Sequence, residues 1–491
     1  MIKSSKWLIN VLLLFTTIFL QAQQEKRIKN NLHLLANQLK DSLSYNGVIM
    51  ISDNGNPLLK KAFGYSNYEH QIKNNLNTKF RIASVSKMFT SYAIYILADK
   101  KLINLNSSIR NFIPSLNKKF KNITVSQLIL HTSGLTRSID NLGGKTNHDS
   151  YTNDELISII NSTDLQSVPG RSFSYSNIGF SLLGIIIENT TKKSYGKAME
   201  DLVFTPLGLN NTGHEVEGDV LVNKANGYNM LGKSIYKANH ENKSHVFGAG
   251  SLFSTANDLL LFSKEVMNGT LLSTQMHEKY LKIVANNRTG GGWVSWGYKA
   301  KLEKEKSAGQ LIMHGGSSSG FRAVICIFLD HKKIVIGLSN QPPINTSIIY
   351  NRFGNVALGL DIEPIHKPII DDIISHVLNN EHQNALLKYK ILKDKYPNKQ
   401  GIRATDLNSL GYTYLGYNQF KNAVSVFKFA SKLFSNDANI FDSYADALFK
   451  SGNQKRAIEM YQKSLELNPK NDKAKKIVSK FLNRTKSVKK S

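Results

Sequence analysis

Two hairpin signals, far apart in the chain, constrain its folding more than any other feature. GVIMISDNG runs into PLLKKAFGYSN through Asn54-Gly55, a dipeptide suited to the positive φ angles of a tight two-residue turn. RAVICIFLD, then HKK, then IVIGLSN spell a second hairpin late in the same region. From about residue 30 to 360, short β-like runs alternate with helical stretches and Gly-rich turns. Strands at both ends with helices between them predict an α+β domain whose terminal segments share one antiparallel sheet.

Past residue 366 the strand pattern stops and an internal repeat begins. Gly411, Ala423, Phe427 and Ala430 are matched 34 residues later by Ala445, Ala457, Tyr461 and Ser464. Small residues where helices touch, with aromatics filling the next groove, give the pattern of a tetratricopeptide helix pair. A weaker copy (Ala385, Tyr389, Leu392, Pro397) precedes these, and Pro469 falls where the last repeat ends. The expected organisation is an N-terminal signal segment over 1–22, the α+β domain over 23–365, helical repeats over 366–482 and a basic tail over 483–491.

MIKSSK, a fourteen-residue apolar run (WLINVLLLFTTIFL) and polar QAQQEKR follow the order of a secretory signal peptide, with cleavage expected after Ala22. The run is shorter than the roughly 18–20 residues of a spanning helix, so no membrane span is expected after cleavage. The expected location is secreted or periplasmic. The formal net charge of +27 invites a nucleic-acid reading, but the lysines are dispersed, and only the tail from Lys470 is locally dense. No nucleic-acid partner is expected. The lone Cys326 sits in an apolar run and reads as core. The histidines show no metal-ligand spacing, and neither metal nor cofactor is expected.

Three serine-bearing stretches compete for a nucleophile. In Ser84-Val85-Ser86-Lys87 the spacing brings the Ser84 hydroxyl and Lys87 amine onto one helical face. A helix start supplies backbone N–H groups, and burial among Met88, Phe89 and Ile94 would lower the lysine pKa into a useful range. The simpler reading is a helix cap beside a solvated lysine. Gly316-Ser317-Ser318-Ser319-Gly320 spells G-x-S-x-G, yet a strand rather than a helix follows, so a nucleophile elbow is rejected. His131-Thr132-Ser133-Gly134-Leu135 reads as a structural corner with a glycine helix stop.

Company at long range favours the first stretch. Tyr175 and Asn177 form Y-x-N ahead of a helix; a phenol beside a lysine can be held partly ionised and relay a proton, and an amide can hold substrate or the lysine. His314-Gly315-Gly316 leads into the last hairpin, where glycines let substrate lie along a strand and the Ser317 N–H could complete an oxyanion hole with that of Ser84.

In order, SVSK, ITVSQLILHTSGL, PGRSFSYSN, PLGLNNTG, GAGSLFSTANDLLLF and HGGSSSGF resemble the serine β-lactamase-related family over roughly residues 40–345. That family includes class C β-lactamases, D-alanyl-D-alanine carboxypeptidases of the penicillin-binding type, and esterases. The resemblance implies a β-lactamase/transpeptidase-like fold and an acyl-enzyme mechanism. It makes Ser84 the nucleophile, Lys87 its activating partner, Tyr175 the proton relay and Asn177 a substrate-positioning group. His314-Gly315-Gly316 stands where the family's K-T-G lies; Arg288-Thr289-Gly290 is spelled closer to it but lacks the closing hairpin. Replacing that lysine by histidine removes a permanent cation for a substrate carboxylate, so antibiotic hydrolysis is demoted. The expected function is a secreted serine hydrolase acting on an ester or amide, with D-amino-acid peptides and β-lactams as candidate substrates and a protein partner for the repeats. The alternative is a catalytically vestigial binding module whose repeats mediate protein interaction.

Overall fold

In the computed structural model the two hairpins meet in one sheet. The structure describes residues 2–139, 145–231, 234–282, 290–293, 310–342, 346–396 and 401–488. The elements that frame the first unit are helix α1 (Ile2–Leu43), strands β1 (Gly47–Asp53) and β2 (Asn56–Phe63), helices α2 (Ser86–Asp99), α3 (Asn177–Thr191) and α4 (Phe247–Gly250), and strands β3 (Leu311–Ser318), β4 (Phe321–Phe328) and β5 (Lys333–Ser339). The sheet order is β3-β4-β5-β1-β2. The β1–β5 ladder is antiparallel, with Gly47 opposite Ser339 and Asp53 opposite Lys333, so the first strand is added to the last hairpin. Asn54 and Gly55 adopt φ of +48° and +78° at the turn between β1 and β2, the geometry that Asn-Gly favours.

Strand alternation splits the buried residues between two faces. Val48, Met50, Ile312, Ala323, Ile325 and Ile336 face the large core that contains α2 and α3. Ile49, Ile51, Met313, Val324, Cys326 and Val335 face a second core. There they meet Ile28, Leu32, Leu35, Ala36 and Leu39 of α1 and Phe353 and Val356 of the last helical segment. Cys326 is therefore a packed apolar residue. Earlier in α1, Leu12, Phe15, Ile18, Phe19 and Leu20 are exposed. No helix among the described residues is long and apolar enough to cross a membrane.

Contacts divide the chain into Met1–Asn229 with Lys237–Ile365, and Met230–Tyr236 with His366–Ser491. From residue 369 the second unit is all helical: α5 (Ile369–Leu378), α6 (His382–Lys395), α7 (Ala404–Gly416), α8 (Phe420–Leu433), α9 (Ala438–Lys450), α10 (Gln454–Leu467) and α11 (Asp472–Val488). Helices α7 and α9 begin 34 residues apart, as do α8 and α10. A Cβ on Gly411 would lie 2.3 Å from the Phe427 ring, so α7 and α8 touch where the sequence pairs a small residue with an aromatic. Ala445 and Tyr461 are buried together at the corresponding places in α9 and α10. Pro397, the end of the weaker copy, lies outside the described residues, as do the last three residues of the basic tail.

Candidate active site

The chain enters the site through a strained step. Ala83 has φ of +46°, a left-handed conformation that costs a residue with a Cβ about 1–2 kcal/mol. Residues Ala83–Val85 form a 3₁₀ turn, and α2 begins at Ser86. Ser84 thus sits just ahead of α2, half exposed, while Lys87 lies in its first turn and is fully buried. The two serines separate cleanly. Ser86 is buried and its Oγ accepts from the Leu252 amide, a packing role. Ser84 Oγ lies 3.1 Å from Lys87 Nζ.

Lys87 Nζ also donates to the carbonyl of Ala249 at 2.8 Å. The approach is possible because α4 is pressed onto α3: a Cβ on Gly248 would stand 2.2 Å from the Phe180 carbonyl. Nζ lies 4.9 Å from the Tyr175 ring centroid and 5.6 Å from that of Phe180. These aromatic faces, distant in sequence, surround the amine; Met88, Phe89 and Ile94 belong to the large core. Burial, then repulsion from the Arg137 guanidinium, holds Lys87 well below the usual lysine range. No carboxylate pairs with it among the described residues. Asn177 does not hold it either: Asn177 Oδ1 is buried with no hydrogen-bond partner among the described residues.

Tyr175 precedes α3, whose N-cap is Ser176, with Ser176 Oγ accepting from the Gly179 amide at 3.1 Å. Its phenol is hydrogen-bonded to Ser84, yet burial dominates and pushes its pKa up to about 12. The expectation of a partly ionised phenol is therefore corrected: Tyr175 is neutral and still carries its proton at pH 7. Arg137, which the sequence reading passed over, lies 5.2 Å from the Tyr175 ring and is exposed. It follows the H-T-S-G-L corner, and nothing local in the sequence distinguishes it from a solvated arginine.

His314 extends from β3 on the same face as Ile312, toward α2 and α3. It is buried, and its ring centroid is 6.3 Å from that of Tyr175. Burial, then repulsion from Lys87, lowers its pKa to about 3, so the imidazole is neutral. Nδ1 lies 2.7 Å from the Gly315 carbonyl and must donate to it. This leaves Nε2 as a buried lone-pair acceptor without a partner among the described residues. Among the described residues β3 is an edge strand, and it runs against the Ser84 turn: a Cβ on Gly316 would lie 2.1 Å from the Ile82 carbonyl oxygen. Ser317, next along that edge, is exposed.

The competing serines lie elsewhere. Ser318 Oγ donates to Glu241 at 3.0 Å and the Ser319 amide donates to the same carboxylate at 3.1 Å, tying the β3–β4 turn in place of a nucleophile elbow. Of Arg288-Thr289-Gly290, the first two residues lie outside the described residues. Gly291, just beyond, accepts from Ser91 on α2.

A buried lysine against a serine, a phenol from a Y-x-N turn and a strand lying against the serine's turn define a serine-hydrolase-type site on a β-lactamase/transpeptidase-like fold. The Beta-lactamase family model matches residues 35–354, and the chain belongs to that family. Over 337 residues it is 25% identical to penicillin-binding protein 4* of Bacillus subtilis, covering 65% of this chain and 73% of that protein. It is 27% identical over 330 residues to protein flp of Staphylococcus aureus, covering 63% of this chain and 64% of the relative. Among solved structures, a class C β-lactamase superposes with a TM-score of 0.58 at 21% identity, over 69% of this chain and 98% of that one. EstCE1, a hydrolase with promiscuous acyltransferase activity, gives 0.56 at 17% identity, over 68% and 99%.

Proposed function

We propose that the protein is an exported serine hydrolase that cleaves an uncharged ester or amide through an acyl-Ser84 intermediate. The observation that carries this reading is Lys87, fully buried, 3.1 Å from Ser84 Oγ and without a carboxylate partner among the described residues. Keeping an unpaired lysine from water costs several kcal/mol, which a non-catalytic module would have no reason to retain. With its pKa depressed, the amine is a base at neutral pH. It takes the Ser84 proton as Oγ bonds to the substrate carbonyl carbon, and backbone N–H groups at Ser84 and Ser317 receive the oxyanion. The neutral Tyr175 phenol gives its proton to the leaving oxygen or nitrogen as that bond breaks. The Lys87 ammonium then returns its proton to the tyrosinate. Water enters by the reverse sequence to release the acid.

His314 supports the choice of an uncharged substrate. A neutral ring offering a lone pair repels a carboxylate where a lysine would attract one. Asn177 is suited to an amide or hydroxyl of the substrate, and Gly316 lets the substrate lie along β3. Export is supported by the exposed apolar residues of α1 between Leu12 and Leu20, which contribute nothing to the core. The 34-residue helix spacing supports a tetratricopeptide reading of the second unit, with a protein partner as its ligand. Labelling by a fluorophosphonate probe tests the central assignment. Labelling that persists undiminished in Ser84→Ala would overturn it.

A further inference from the structure

The corner at His131-Thr132-Ser133-Gly134-Leu135 does more than turn the chain. It cradles the segment that carries Tyr175. The Ser174 amide donates to the His131 carbonyl at 2.8 Å, and the Ser176 amide donates to His131 Nδ1 at 3.1 Å. Ser176 Oγ donates to the Thr136 carbonyl at 2.8 Å, and the Asn177 amide to that of Arg137 at 2.8 Å. The residues on either side of Tyr175 are thus both tied to His131. The imidazole lies against the phenol itself, with ring centroids 4.4 Å apart and planes tilted by 30°. It is 1% exposed, and Phe180 packs 5.1 Å from it.

Two further details exceed what a corner needs. His131 has φ of +56°, a conformation in which Gly or Asn would be less strained. Its Nδ1 accepts, so Nε2 carries the proton, and that N–H is buried with no partner among the described residues. A strained histidine with an unmet donor is poor material for a purely structural turn. The charged and titratable groups that act on it are Lys87 from α2, His314 from β3 and Arg137 from its own loop, with the Tyr175 phenol against its face. Burial keeps the imidazole neutral, and a proton on it would also be opposed by Arg137 and by any charge on Lys87 or His314.

We propose that His131 is a positioning residue for Tyr175: Nδ1 fixes the Tyr175–Ser176 peptide, while the ring covers the phenol and shields it from water. This rests on Tyr175 acting as the proton donor. The two claims separate by reading the phenol directly, through ¹³Cζ-tyrosine NMR of the full chain, with the Tyr175 signal assigned by its loss in Tyr175→Phe. His131→Asn keeps an acceptor near Nδ1 and tolerates the backbone, but uncovers the phenol. His131→Phe keeps the cover and loses the acceptor. The Tyr175 midpoint is expected to stay near 12 in wild type and His131→Phe, and to fall toward the ordinary phenol value of 10 in His131→Asn. Each variant is expected to lose tenfold or more in kcat with KM within threefold. An unmoved midpoint in folded His131→Asn, or wild-type kcat in both variants, overturns the proposal. Wild-type kcat in Tyr175→Phe would instead overturn the proton-donor role, leaving the NMR result to judge His131 alone.

Discussion

Gly316→Ala is the most informative single substitution, because its magnitude follows from one distance. The new methyl would stand 2.1 Å from the Ile82 carbonyl oxygen, where even the tightest ordinary contacts of a Cβ lie near 3.0–3.4 Å. The obstacle is backbone two residues before Ser84, so no flexible side chain can yield. β3 must move outward by about 1 Å, a displacement of reacting groups that typically costs about 10²-fold in rate. The crowding should also cost about 1–3 kcal/mol of stability, as overpacking does. Gly315→Ala is the matched control, since its nearest neighbours, the Ala323 carbonyl and Thr346 hydroxyl, are 4.0 Å away. The assay is kcat/KM on p-nitrophenyl butyrate together with the rate of fluorophosphonate labelling. We expect Gly316→Ala to lose about 10² in both while Gly315→Ala stays within threefold. Equal losses in the two variants, or full activity in Gly316→Ala, would refute the idea that this edge must lie against the nucleophile turn.

Lys87→Met and Tyr175→Phe should each lower kcat by about 10²–10⁴, with circular dichroism unchanged, because each removes a proton-transfer group and little volume. The competent enzyme has Lys87 neutral and Tyr175 protonated. Activity should therefore rise with pH through the depressed Lys87 pKa and hold until the phenol ionises near 12. A rate that falls as pH rises from 6 to 8 would contradict this. Arg137→Gln removes a repelling charge, so the acid limb of the pH–rate profile should move upward, with the difference shrinking in high salt because Arg137 is exposed. His314→Lys should gain acylation by a penicillin-type probe relative to neutral esters, and an unchanged preference would remove His314 from substrate selection.

Much of this site is legible along the chain because its chemistry is local. Ser84 and Lys87 share a face by spacing alone, the Asn54-Gly55 turn dictates its own hairpin, and the 34-residue period places the later helices. Tyr175, Asn177 and His314 are readable as candidates but not as neighbours. Their convergence depends on the first strand joining the last hairpin, and on α4 pressing against α3. His131 was legible only as a corner, since a glycine stop after an apolar helix predicts a turn and says nothing about which ring it faces.

The protonation states belong wholly to the tertiary structure. Sequence names the ionisable groups, but their pKa values follow from water excluded and charges brought near, and both are properties of packing. Lysine becomes a base because Tyr175, Phe180 and the Ala249 carbonyl close around it from two distant stretches. The tyrosine stays an acid, and the histidine of β3 stays neutral, for the same reason. Residue identity and spacing fixed which groups could react; burial decided which way each proton moves.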